Sequence, residues 1–231
     1  MTFVIVHFNT PELTTCLCGS IIKNHPDAKI VVFDNSDKKP FTNTDLFNAD
    51  YIDNTKGQII NFDNELTKYP NRAITQQIKL GANFGSFKHT LSIQYMINNI
   101  DDNFILLDSD VLLIKPIDFI NDKYICISDV YQNKTGGYVR CSPMLCYFNV
   151  KLIKKYNLSY FDETRMHALN IKDTKSMNYD TGASFYEDLQ QYADKFYRIK
   201  MTDYIIHYGC ASWKNSQDYK NWLMKNKSLW Y

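Results

Sequence analysis

The sequence predicts an α/β domain with a central, mostly parallel sheet flanked by helices. Three observations carry that expectation. Phe3 to Phe8, Lys29 to Phe33 and Phe104 to Asp108 are short, nearly continuous apolar runs, the pattern of strands covered on both faces. Leu13, Cys16, Leu17 and Ile21 form a helical stripe between the first two runs. A strand, a helix and a strand within about 35 residues imply a right-handed parallel crossover. The chain also has 231 residues, 45% of them apolar, enough for one substantial core.

The elements follow in order. After the first strand, Thr10-Pro11-Glu12 reads as N-cap, first helical position and acidic first turn. The second strand stops at Asp34-Asn35-Ser36-Asp37, a cluster of turn residues. Residues 38–82 are polar and irregular, with one short strand and one short helix expected around Ile52, Ile59, Ile60, Phe62 and Leu66. Asn83-Phe84-Gly85-Ser86 opens a helix through Leu91, Tyr95 and Met96 to about Ile100. Tyr124 to Ile127 and Met144 to Phe148 are further strands, separated by a Gly-Gly loop from Tyr131 to Tyr138 that is expected to be mobile. Lys151 to Tyr156 is a short helix, and Asp180-Thr181-Gly182-Ala183 begins a longer one through Tyr186, Leu189 and Tyr192. Phe196 to Ile199 and Ile205-Ile206 read as short edge segments. From Ser212 to Tyr231, Tyr219, Trp222, Leu223 and Trp230 recur at helical spacing, with Lys214, Lys220, Lys225 and Lys227 elsewhere.

Composition excludes several classes. The 26 Lys+Arg against 25 Asp+Glu leave a net charge of +1, whereas a sequence-independent nucleic-acid binder needs an excess of cations. No nucleic-acid partner is expected. Gly at 8 and Pro at 6 are too few for a collagenous or linker-rich chain. The N-terminal apolar run lacks a preceding cationic region, so no signal peptide is predicted. No window approaches the roughly 20 apolar residues of a membrane span. The six cysteines show neither a disulfide framework nor paired zinc spacing and read as reduced core residues. The expected location is the cytoplasm, at the inner face of a membrane where the acceptor is lipid-linked.

Asp108-Ser109-Asp110 is the strongest chemical signal. Two carboxylates at the end of a buried strand repel each other unless a cation or a proton lies between them. Parallel sheets collect ligands at such strand ends. Oxygen ligands at this spacing suit Mg²⁺ or Mn²⁺, which can bridge to substrate phosphates. The competing description is a strand-to-turn junction whose aspartates cap loop amides.

Four segments, in order, resemble the nucleotide-sugar-binding half of the GT-A glycosyltransferases, the family 2 type above all. They are His7-Phe8-Asn9-Thr10-Pro11-Glu12-Leu13, Val31-Val32-Phe33-Asp34-Asn35-Ser36, Asn83-Phe84-Gly85 and Leu106-Leu107-Asp108-Ser109-Asp110. The resemblance spans about residues 3–115, and residues 38–80 depart from it by being longer and more polar. It implies a single Rossmann-like GT-A domain over 1–231, with a nucleotide-sugar-binding half (1–115) and an acceptor half (116–231) ending in a helical tail. It also implies a divalent cation, Mn²⁺ or Mg²⁺, held by Asp108, Asp110 and a late histidine. His207 in His207-Tyr208-Gly209 fits that last place.

The same resemblance assigns the donor site. Asp34 would accept from the N3–H of uracil, Asn9 and Thr10 would line the base pocket, and Asp108 would face the nucleotide sugar. Lys88, with His89, lies in the first turn after Gly85, where a helix N-terminus attracts pyrophosphate. For the catalytic base the resemblance leaves two carboxylates, Asp180 at the start of a helix and Asp188 in the Glu187-Asp188 pair. Arg140 would meet sugar hydroxyls or phosphate. The activity implied is transfer from a nucleoside-diphosphate sugar, a UDP-sugar, to a saccharide or lipid-linked saccharide, with inversion. Such an acceptor would suit peripheral membrane contact through the aromatic-basic tail. Two alternatives remain at this point: a haloacid-dehalogenase-like phosphatase using Asp108 as nucleophile, and a non-catalytic nucleotide-sugar-binding protein.

Overall fold

A computed structural model of the chain describes residues 1–68, 83–132, 138–162, 181–209 and 217–231. In chain order the elements begin with β1 (Thr2–His7), α1 (Pro11–Asn24), β2 (Lys29–Asp34), β3 (Asp50–Asp53), α2 (Phe62–Thr67) and α3 (Asn83–Asn99). Next come β4 (Phe104–Asp108), β5 (Val111–Leu113), β6 (Cys126–Tyr131), β7 (Arg140–Phe148) and α4 (Val150–Lys155). The described chain ends with α5 (Ala183–Leu189), β8 (Phe196–Arg198), β9 (Ile205–His207) and α6 (Gln217–Lys225). Seven strands form one sheet in the order β3-β2-β1-β4-β7-β6-β8. Only β7 runs against its neighbours, pairing antiparallel with β4 and β6. The expected mostly parallel α/β sheet is present.

The apolar strand runs have a direct cause. Along β1, Phe3 and Ile5 join the core on one face of the sheet, and Val4 and Val6 join the core on the other. Alternating side chains therefore all meet protein, and no position calls for a polar residue. Helix α1 starts at Pro11 as expected, although the Thr10 side chain makes no capping hydrogen bond. The irregular stretch holds the expected short strand and helix as β3 and α2, the latter capped by Asn61, which accepts from the Asn64 amide at 3.0 Å.

Three boundaries differ from the sequence reading, each for a local reason. Helix α4 begins one residue early because Asn149 caps it, accepting from the Leu152 amide at 3.1 Å. Helix α5 begins at Ala183, after Gly182 turns with φ of 84°. That turn packs on β7, and a side chain at Gly182 would bring a Cβ to 2.6 Å from the Cys141 carbonyl oxygen. The tail helix breaks after Lys225, and a short 3-10 turn covers Lys227–Leu229. Residues 133–137 of the expected Gly-Gly loop lie outside the described residues.

The tail packs onto α1. Tyr219 and Leu223 are buried against Leu13, Cys16 and Leu112. Gly19 permits this approach, since a Cβ there would sit 2.7 Å from the Trp230 carbonyl oxygen. Lys23 Nζ donates to the carbonyl oxygens of Ser228 (2.7 Å) and Tyr231 (3.0 Å). The aromatic stripe that suggested a lipid-facing surface is thus spent on the core. Among the described residues, no helix is long and apolar enough to cross a membrane.

Candidate metal and donor site

The chain places β2 and β3 on one side of β1, then returns to place β4 on the other. Such a reversal opens a crevice at the C-terminal ends of the two strands. In the β1–β4 register Val6 stands opposite Asp108, so the residues after His7 and after Asp108 meet at that crevice. Thr10 Oγ1 and Ser109 Oγ lie 3.3 Å apart across it.

Asp110 leads into β5, which pairs antiparallel with β9 and sets Val111 opposite His207. The Tyr208 amide donates to the Asp110 carbonyl oxygen at 3.0 Å, closing the ladder beside the carboxylate. His207 Nε2 consequently lies 3.1 Å from Asp110 Oδ1. One ligand atom each from Asp108, Asp110 and His207 falls within 4.8 Å of the others. Two carboxylate oxygens and an imidazole nitrogen form a donor set that suits Mn²⁺ or Mg²⁺, the former taking imidazole more readily. These are the three residues singled out as ligands from the sequence.

The electrostatics agree with that reading. Burial pushes the Asp108 carboxyl above its ordinary value, and the neighbouring Asp110 charge pushes the same way. The charges of His89, His207 and Arg140 oppose the shift without cancelling it. A carboxylate held in such surroundings gains from a cation nearby. His89, on α3, has its Nε2 3.3 Å from Asp108 Oδ1. The Arg140 guanidinium, at the start of β7, lies 5.1 Å from the centre of the Tyr131 ring.

The donor-site residues divide. Asp34 is fully buried, and its carboxylate accepts from the amides of Ser36 (2.8 Å) and Phe41 (2.7 Å) and from the Tyr51 hydroxyl (2.9 Å). It organises its own loop and turns no oxygen toward an open base pocket. Asn9 sits in the left-handed region at φ of 55°. Its side-chain oxygen accepts from the amides of Lys38 and Lys39 at 3.0 Å each, and its amide group donates to Asp37. Asn9 therefore ties the loop after β2 to the loop after β1. Thr10 is buried in the crevice wall.

Lys88 lies on the crevice side of α3, its ammonium 4.5 Å from the Phe84 ring centre, 5.5 Å from Phe62 and 5.6 Å from Phe8. Burial lowers its pKa, with the charges of Asp37 and Asp63 opposing. Of the two candidate bases, Asp188 is on α5 and partly buried. Asp180 lies outside the described residues.

The sequence reading had no separate role for His89 as a neighbour of Asp108. A histidine nearly two turns into the helix that precedes the acidic strand was the available signal.

No family model and no curated protein matches the chain. Solved structures do. The galactosyltransferase LgtC, in complex with donor and acceptor sugar analogs, aligns with a TM-score of 0.51 at 13% identity, covering 87% of this chain and 74% of that one. Mouse xyloside xylosyltransferase 1, in its apo form, aligns with a TM-score of 0.50 at 11% identity, covering 87% of this chain and 86% of that one. At such identities the likeness establishes the fold, which is of the GT-A glycosyltransferase type.

Proposed function

We propose that this chain, folded as a GT-A glycosyltransferase, moves a sugar from a UDP-sugar to a saccharide or lipid-linked saccharide acceptor in a metal-dependent reaction. The observation that carries the reading is the convergence of Asp108, Asp110 and His207 at the end of a central strand. Those three residues would hold a divalent cation, whose charge would offset that of the departing diphosphate. Lys88 adds a cation on the α3 side of the crevice, and burial makes its charge more effective toward a phosphate. Arg140 supplies a planar guanidinium on the other side, suited to bidentate contact with phosphate or sugar hydroxyls. The residues around Asn9 and Thr10 form the wall available to the base.

A surface depression of about 450 Å³ beside His207, lined also by Met201, Ile205, Ile206 and Trp222, offers room for part of an acceptor. Asp180, or Asp188, would deprotonate the acceptor hydroxyl as its oxygen attacks the anomeric carbon from the face opposite the departing UDP, which gives inversion. A product of retained configuration would strike out both as bases and leave the donor site untouched. The division into a donor half, 1–115, and an acceptor half, 116–231, belongs to the same reading.

Calorimetric titration with UDP and with GDP, each in Mn²⁺ and then in EDTA, tests the proposal. The expected result is UDP binding that requires Mn²⁺ and exceeds GDP binding. Absence of binding by either nucleotide overturns it. Turnover of a UDP-sugar, read as UDP release in the presence of an acceptor, separates an enzyme from a non-catalytic binder.

A further inference from the structure

The acidic strand end carries two carboxylate–imidazole pairs. Asp110 Oδ1 lies 3.1 Å from His207 Nε2, and Asp108 Oδ1 lies 3.3 Å from His89 Nε2. The pairs look alike but differ in reach. His207 lies within 4.8 Å of both carboxylates and belongs to the ligand group, whereas His89 does not. His89 comes from α3, on the opposite side of Asp108 in sequence from the β5–β9 pair. Its side chain is only 20% exposed, and its Nε2 is buried without a hydrogen-bond partner, being close to Asp108 Oδ1 but off the line of a hydrogen bond. The adjacent Lys88 points into the Phe8, Phe62 and Phe84 rings instead, as expected for consecutive helical residues about 100° apart.

We propose that His89 is a positioning residue: its imidazole keeps the Asp108 carboxylate from turning away from the Asp110–His207 side, so that the ligand group is set before a cation arrives. Two neighbouring carboxylates repel, and an unrestrained one turns away. Partners outside the ligand set that fix ligand orientation commonly control metal affinity by 10–100-fold. Asp110 is held in the β5–β9 ladder beside His207, while Asp108, at the end of β4, has His89 Nε2 3.3 Å from its Oδ1. His89 bears on that carboxylate from the α3 side. This rests on the metal-dependent reading above.

The test is Mn²⁺ affinity, read from the electron paramagnetic resonance signal of free Mn²⁺ during titration in the presence of UDP. Variants His89→Leu, His89→Gln and His89→Asn are compared with the parent and with Asp108→Ala. His89→Leu should weaken Mn²⁺ binding about 10–100-fold. His89→Gln, whose amide nitrogen reaches the place of Nε2, should recover most of that loss, and the shorter His89→Asn should not. Adding His89→Leu to Asp108→Ala should cost nothing further, because the carboxylate it positions is gone.

Parent-like affinity in His89→Leu overturns the proposal, as does an additive loss in the double variant. Should the leucine variant fail to fold, equal affinity in the glutamine and asparagine variants overturns it as well. Failure of the parent itself to bind Mn²⁺ overturns the metal-dependent reading and this proposal with it, and that outcome is distinguishable from the others.

Discussion

Two aspartates end neighbouring parts of the same sheet, and they are opposites. Asp34 closes β2 with three hydrogen-bond donors directed at its carboxylate, two loop amides and a tyrosine hydroxyl. Asp108 closes β4 facing a second carboxylate and two imidazoles, and burial holds its carboxyl above the ordinary value. A carboxylate whose lone pairs are filled by its own loop stabilises the fold. One set beside another carboxylate raises the free energy of the fold until a proton or a cation relieves it. Residue type and strand-end position are the same at both sites. The partners decide the role.

The largest test of the comparison is Asp34→Ala. It leaves the Ser36 and Phe41 amides and the Tyr51 hydroxyl without their acceptor in a buried loop. About 3 kcal/mol of stability should be lost, seen as a melting temperature lowered by roughly 6–12 °C. A variant that melts like the parent but no longer binds UDP would return Asp34 to the donor pocket and break the contrast.

Asp110→Ala should act the other way round. Mn²⁺-dependent UDP affinity should fall by about 100-fold, or ~2.7 kcal/mol, with the melting temperature in EDTA nearly unchanged. Calorimetry beside a thermal melt reads both, and a loss of stability without a loss of affinity would assign Asp110 to the fold.

Asp108→Asn sharpens the same point with a smaller effect. Removing a buried charge next to Asp110 should raise the melting temperature in EDTA by about 2–4 °C, the shift that ~1 kcal/mol produces at this chain length. Mn²⁺ affinity should fall about 10-fold, or ~1.4 kcal/mol, in the same variant. A lower melting temperature would mean that the imidazoles already satisfy the carboxylate.

The smallest effect concerns His7, paired in register with Asp34 and buried beside it. Burial lowers its pKa below the ordinary 6.5, although the Asp34 charge opposes the shift. The unfolded chain therefore takes up a proton near pH 6.5 that the folded chain excludes. Stability should be full above that pH and fall as acid brings the pH down toward the lower folded value. We expect a drop of about 1–2 °C in melting temperature across that window, flattened in His7→Gln. An unchanged slope in His7→Gln would assign the acid sensitivity elsewhere.

Much of the sheet was legible because β1, β2 and β4 are buried on both faces, so that position after position is apolar. The candidate ligand pair Asp108 and Asp110 was legible for the same reason: two charges end a strand that otherwise admits none. His207 was legible only through resemblance, since its partnership with Asp110 depends on β9 pairing with β5, and no local pattern records a pairing so far apart in the chain. The inward turn of Asp34 was hidden because a base-facing and a loop-capping aspartate follow a strand in the same way. Its donors Phe41 and Tyr51 lie in the polar stretch where apolar periodicity was weakest. The helix start at Ala183 was missed because the turn at Gly182 is set by contact with β7.

Asp110 and His207 stand 97 residues apart, joined through the three-residue strands β5 and β9. A chain leaving the ribosome can form β1, β2 and β4 well before it holds a complete ligand group. Closing so long a loop carries an entropic cost that short strands offset only in part. A cation that binds only the closed arrangement would favour it by mass action. Under the metal-dependent proposal, the ion would then act on the polypeptide's assembly as well as at the site.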